Sequence, residues 1–148
     1  MPKAIKISSP AFEAKALIPK KYTCEGKNIN PTLEFEKMPE EAKSLVLIME
    51  DPDAPGGSFT HWLSWGLDPK AELLEGKKLG TEGRNDFGKL GYGGPCPPRG
   101  TSHSYFFRLY ALDTELELKE GASRKELEAA MAGHILAKGE LIGNYRRG

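Results

Sequence analysis

Two carboxylates and two imidazoles carry whatever chemistry this sequence has. Asp51 and Asp53 stand two positions apart in Asp51-Pro52-Asp53-Ala54-Pro55, and His61 and His103 follow. The prolines fix φ, remove backbone donors and push the residue before them towards an extended conformation. The segment is therefore a stiff corner, neither helix nor mid-sheet, and it points its acids in a set direction. It follows the apolar run Leu45-Val46-Leu47-Ile48-Met49, which reads as a buried strand.

The chemistry that suits these residues is anion capture. Gly91-Tyr92-Gly93-Gly94-Pro95-Cys96-Pro97-Pro98-Arg99-Gly100 precedes His103. Its glycines let backbone approach a ligand closely and offer N–H donors, and such donors can form an anion-binding concavity. Its prolines make a rigid wall. Imidazole N–H groups would complete the pocket, and Asp51 and Asp53 would orient the histidines and fix their tautomers. Imidazoles that charge near or below neutrality would favour anions. A His/carboxylate metal site uses the same residue types, and the spacing does not select it, so no metal and no cofactor are called for. The sequence has no G-x-S-x-G, H-E-x-x-H, G-x-x-x-x-G-K-[ST] or strand-to-helix G-x-G-x-x-G motif. No residue is assigned as catalytic.

Short strands must position these groups. Ala4–Ser8, Thr32–Phe35, Lys43–Met49, His61–Gly66 and Ser104–Ala111 are rich in β-branched, aromatic and leucine residues and bounded by turn formers. Ser104–Ala111 is apolar on both faces, as in a strand central to a core. Residues 77–100 form a long loop, of the kind that is usually functional when ordered. One helix is predicted near the C-terminus. Ser123 is its N-cap with Glu126 at the capping-box position. Leu127, Ala130, Met131, His134 and Ile135 share a face, Gly139 is the C-cap, and Leu141-Ile142 is a short apolar anchor beyond it. His134 on that face reads as structural.

A length of 148 residues predicts one domain, residues 1–148. Such a chain buries roughly 68–70% of its unfolded surface and needs no staple to fold. Lys plus Arg equals Asp plus Glu at 21 each, so no global field attracts nucleic acid or anionic membrane. No run approaches the ~18 apolar residues of a membrane helix, and the opening residues lack a signal peptide's apolar stretch. A cytoplasmic protein without integral membrane insertion is the expectation. Cys24 and Cys96 both lie in Gly/Pro-rich loops and read as free thiols, although a bridge between them would have precedent in hyperthermophiles.

Taken in order, Asp51-Pro52-Asp53-Ala54-Pro55, His61-Trp62, Gly93-Gly94-Pro95, Pro97-Pro98 and His103-Ser104-Tyr105-Phe106-Phe107 resemble the phosphatidylethanolamine-binding protein family. Tyr22-Thr23-Cys24-Glu25-Gly26, Asn30-Pro31 and Gly133-His134-Ile135-Leu136-Ala137 look like its bacterial and archaeal Raf-kinase-inhibitor-like branch. The resemblance spans nearly the whole chain. It implies a mainly β fold: an antiparallel β-sandwich with one or two peripheral helices, including a C-terminal one. It also implies a small pocket for phosphate-like groups such as phosphoethanolamine. The matching pocket positions are Asp51, Asp53, Pro55, His61, Pro98, His103 and Tyr105, with Gly94 in the floor. In some members the peptide before the proline matching Pro55 is cis. The short Gly56–Thr60 segment departs from eukaryotic members, which carry a longer charged insertion there, so their partner contacts and kinase inhibition do not carry over.

The expected function is binding or regulation through a small anionic ligand: phosphate, phosphoethanolamine or similar. A hydrolase with His61 or His103 as general base is the enzymatic alternative. A protein-interaction module, inhibiting a protease or kinase, is the third, although no residue identifies a protein partner. Prokaryotic relatives are often homodimers, so a homodimer is carried as an expectation.

Overall fold

A computed structural model describes residues 3–148. Eight strands and one α-helix occur in the order β1 Lys3–Ala4, β2 Lys6–Ser8, β3 Glu34–Glu36, β4 Ser44–Asp51, β5 Phe59–Leu67, β6 Thr81–Glu82, β7 Ser102–Leu112, α1 Arg124–Met131 and β8 Ile135–Arg146. Six strands form one sheet in the order β1-β8-β7-β4-β5-β6, and β2 pairs with β3 in a second. Every ladder between named strands is antiparallel except β1 with β8. The predicted mainly antiparallel β architecture is what forms.

Apolar groups cover both faces of the large sheet. Leu45, Leu47 and Met49 of β4 join Trp62, Tyr105, Phe107 and Leu109 in a core closed by Ile5, Ile7, Phe12, Ile18 and Leu33. Val46 and Ile48 face the other way, into a core with Leu63, Trp65, Leu112, Leu127 and Met131 of α1. All eight residues of β4 are therefore buried. This is why its sequence is a continuous apolar run rather than an alternation. In β7 inward residues alternate with half-buried ones, as befits a strand between β4 and β8 whose second face is only partly covered.

Three sequence expectations need correction. The helix begins as predicted, with Ser123 and Glu126 in a reciprocal capping box, but it ends at Met131. Gly133 takes φ +82°, a conformation open to glycine at little cost, and the chain turns back. Ile135 onward, read as the end of a helix and an anchor, is the twelve-residue strand β8 paired along β7. The spacing of Ile135 suits either period, and β7 supplies the ladder that decides it. His134 consequently lies in the turn, exposed, with Nδ1 bonded to Asp113 at 2.8 Å. Cys24 and Cys96 are not free thiols. They are bridged, closing 72 residues of chain. Finally, no peptide among the described residues is cis, so Ala54–Pro55 is trans. The corner turns instead through Gly56 at φ +84° and Gly57 at φ +112°.

Candidate functional site

Antiparallel neighbours bring the site together. The end of β4 lies beside the start of both β5 and β7, with Asp51 opposite Phe59 and Glu50 opposite Phe106. Asp51 closes β4, His61 lies near the start of β5 and His103 near the start of β7. All three therefore gather at one end of the sheet.

Asp51 serves two groups. Its Oδ2 accepts from Nδ1 of His103 at 2.6 Å, and its Oδ1 accepts from the Asp53 backbone at 2.8 Å. The second bond is a side-chain turn that stiffens the corner. Both partners of the first are buried. The carboxylate fixes His103 with its hydrogen on Nδ1, leaving Nε2 unspent. Asp53 does not touch a histidine. Its Oδ2 accepts from the Ser104 backbone at 3.0 Å and ties the corner to the start of β7. The expectation that both acids brace imidazoles holds for Asp51 alone.

His61 sits on a β-bulge. Met49 faces Trp62 and Glu50 faces Thr60, so His61 is the extra, unpaired residue of β5. Bulges re-aim side chains and recur beside functional sites. The freed backbone and the ring are both held by the glycine loop. Gly93 N donates to the His61 carbonyl at 2.9 Å, and His61 Nδ1 donates to the Gly93 carbonyl at 2.7 Å. A carbonyl, not a carboxylate, therefore sets this tautomer, again leaving Nε2 unspent. Burial pushes the His61 imidazole below its ordinary pKa, although the Gly93 and Gly94 carbonyls and the Asp51 and Asp86 carboxylates act to raise it.

Both rings line one cleft of about 310 Å³, with Asp51, Ala54, Pro55, Phe59, Phe87, Cys96, Pro97 and Pro98. Of the predicted pocket residues, Asp51, Pro55, His61, Pro98 and His103 line it; Asp53, Gly94 and Tyr105 do not. Tyr105 packs behind it, its ring edge-on to His61 at 5.3 Å and stacked on His103 at 6.4 Å. Its hydroxyl is buried without a hydrogen-bond partner. Burial, then the neighbouring Asp51 charge, raises its pKa well above the ordinary tyrosine value.

Gly94 has a packing role. A Cβ there would lie 2.1 Å from the Tyr22 carbonyl, and its N–H donates to Asn28 Oδ1 at 2.8 Å. The loop amides expected to hold an anion are likewise committed: Gly91 N to Gly83 O at 3.2 Å and Gly93 N to His61 O at 2.9 Å. These glycines place the loop, and the amides of Gly91, Gly93 and Gly94 are spent on acceptors within the protein.

Phe59 and Phe87 were not singled out from the sequence. Phe87 is 43% exposed and packs edge-on to both Phe59 and His61 at 4.7 and 5.3 Å. Its signal was an aromatic in a glycine-rich loop, shared with Tyr92. The Cys24–Cys96 bridge fastens the same loop from outside, beside a Cys24 N to Pro95 O hydrogen bond of 3.1 Å. No group of three or more His, Cys, Asp or Glu side chains among the described residues is placed to hold a metal.

A β-sheet closed by cores on both faces, with an Asp-braced histidine and a bulge histidine sharing a small cleft, defines a compact β protein with a mostly apolar pocket at one sheet end that holds two imidazoles and a carboxylate. The family model for phosphatidylethanolamine-binding protein matches residues 8–146. A UPF0098 protein of Pyrococcus horikoshii is 54% identical over 97% of this chain and 77% of its own. One from Aquifex aeolicus is 48% identical over 97% of this chain and 89% of its own. The crystal structure of a phosphatidylethanolamine-binding protein homolog from Chlamydia trachomatis matches with TM-score 0.93 and 44% identity, over 99% of each chain. That of E. coli YbcL matches with TM-score 0.89 and 28% identity, over 97% of this chain and 99% of its own. The chain belongs to the phosphatidylethanolamine-binding protein family.

Proposed function

We propose that this protein binds a small phosphate-type oxyanion, with phosphate and the phosphoethanolamine head group as the model ligands. The observation that carries the reading is the pair of imidazoles on one cleft. Each is anchored through Nδ1, to Gly93 and to Asp51, and each keeps Nε2 unspent. The cleft volume of about 310 Å³ sits at the low end of small-molecule sites, which suits a head group better than a whole lipid. Phe59, Phe87, Pro55 and Pro97 offer a carbon-bearing ligand an apolar wall.

Calorimetric titration with phosphate and phosphoethanolamine tests this. Binding that weakens in both His61→Ala and His103→Ala is expected. An absence of heat with either ligand, or affinity unchanged in both variants, overturns the reading.

The 2.6 Å Asp51–His103 pair also has the orienter-and-base arrangement of a hydrolase. Binding is preferred because the lining side chains include no hydroxyl or free thiol nucleophile; Cys96 is spent in the bridge. Turnover of phosphoester or ester substrates that disappears in Asp51→Asn would reverse that preference. Membership of the Raf-kinase-inhibitor-like branch, a cytoplasmic location and a homodimer remain expectations. No helix is long and apolar enough to cross a membrane among the described residues. Sedimentation velocity reads the oligomeric state.

A further inference from the structure

The groups facing the cleft do not include a permanent cation. Its lining holds no lysine or arginine. The charges set directly against the two imidazoles are acidic, while Arg99 follows the lining Pro98 and Arg147 is near enough to act on Tyr145. Asp51 lies on His103 and Asp53 on the neighbouring Ser104 amide, while the Asp86 carboxylate accepts from Thr60 N at 2.7 Å beside His61. From β7 the Tyr105 ring backs both imidazoles, and from β8 Tyr145 stands opposite His103. The Tyr145 hydroxyl is tied to the Glu25 carboxylate. Of the lining backbone, Pro55, Pro97 and Pro98 offer no N–H and the Phe87 amide is bonded to Asn85; the unpartnered Tyr105 hydroxyl behind the imidazoles is a neutral donor. An anion entering this cleft meets the Asp51 carboxylate and, wherever an imidazole is neutral, the lone pair of its Nε2.

We propose that the pocket takes up its oxyanion together with at least one proton, either on an imidazole Nε2 or on the ligand as an acidic O–H. The proposal rests on the reading of the cleft as an anion site. It narrows the ligand class to oxyacids that can carry or recruit a proton. The physical ground is charge. A desolvated anion costs several kcal/mol unless a partner charge or hydrogen bond offsets it, and a proton at Nε2 supplies both at once. The lowered His61 pKa points the same way, because the free site then lacks that proton at neutral pH. Binding becomes a proton-linked equilibrium, weakening up to about tenfold per pH unit for each proton taken up.

Calorimetry on the unmodified protein decides the matter. Sulfate and inorganic phosphate are titrated at about pH 8 in two buffers of different ionisation enthalpy. The dependence of observed heat on buffer gives the protons absorbed per ligand. Uptake of about one proton with phosphate is expected, along with affinity that rises on going to about pH 6. Sulfate does not protonate in this range, so uptake with sulfate places the proton on an imidazole. Uptake with phosphate alone places it on the ligand. Tight binding of either probe with no proton uptake and no pH dependence overturns the inference and leaves the anion pocket standing. Failure of both probes to bind at either pH overturns the pocket itself.

Discussion

His61 and Gly93 hold each other twice, backbone to backbone at 2.9 Å and ring to carbonyl at 2.7 Å. The residue freed from the sheet by the bulge is thus re-tied to the glycine loop, and the loop sets the imidazole's tautomer. The pocket's two histidines are therefore positioned by different means, one by a loop carbonyl and the other by a carboxylate. Perturbing either support gives a distinct outcome.

Asp51→Asn should change a tautomer rather than delete a contact. Asp51 now accepts two hydrogens, from His103 Nδ1 and Asp53 N. An amide has one acceptor oxygen, so His103 is expected to move its hydrogen to Nε2 and accept the amide at Nδ1. Nitrogen-15 imidazole spectra would show the exchange. Phosphate affinity should then vary less steeply with pH. Exchanging the charged His103–Asp51 bond for a neutral one should cost about 1–3 kcal/mol of stability in a denaturant titration.

Gly94→Ala should destabilise by about 2–4 kcal/mol, since the new Cβ meets the Tyr22 carbonyl at 2.1 Å and backbone must move on both sides. Gly56→Ala has open space around it and only its φ of +84° to contend with. A cost nearer 1 kcal/mol is expected there. Comparable losses in the two variants by urea unfolding would contradict the close approach.

Replacing both cysteines by alanine, or adding a reductant, should lower stability by about 4 kcal/mol. The bridge closes 72 residues, and chain-entropy arguments assign a loop of that length this magnitude. Parallel denaturation with and without dithiothreitol measures it. Coincident curves would mean that the Cys24–Pro95 and Gly94–Asn28 hydrogen bonds already hold the loops together in the unbridged chain.

Glu50 predicts an acid limb. Burial alone would raise its carboxyl, but hydrogen bonds from Arg124 and Ser58 and the charges of Arg124 and Arg108 bring it below its ordinary value. A folded-state pKa below the unfolded one means stability that is complete above about pH 5 and drains as pH falls through the folded value. Glu50→Gln should flatten that decline in a series of melting curves. At neutral pH it should cost about 2–3 kcal/mol. This is less than a fully enclosed pair, because the two arginine side chains keep 26% and 30% exposure.

The sequence made the acid corner, both histidines and the buried strand beside them legible, because these rest on local chemistry. Proline restricts its own neighbours, and an apolar run bounded by turn formers has few other uses. Three features required tertiary partners. The bulge at His61 exists only as a count of residues on β5 against β4. The strand Ile135–Arg146 competes with a helical reading until β7 lies alongside. The loop amides looked free until Gly83, His61 and Asn28 claimed them. The same limit applies to Asp53, whose partner is a backbone amide 51 residues away.

The position of β8 has a consequence for synthesis. It is the neighbour that β7 needs on one side, as β4 is on the other, yet it is completed only about 95 residues after β4 ends, from Asp51 to Arg146. At typical translation rates that interval is roughly 5 to 20 seconds. Throughout it β4, buried at every position in the finished sheet, has no completed sheet to hide in. A chain truncated before residue 135 should therefore stay bound to a chaperone far longer than the full 148-residue chain once both are released.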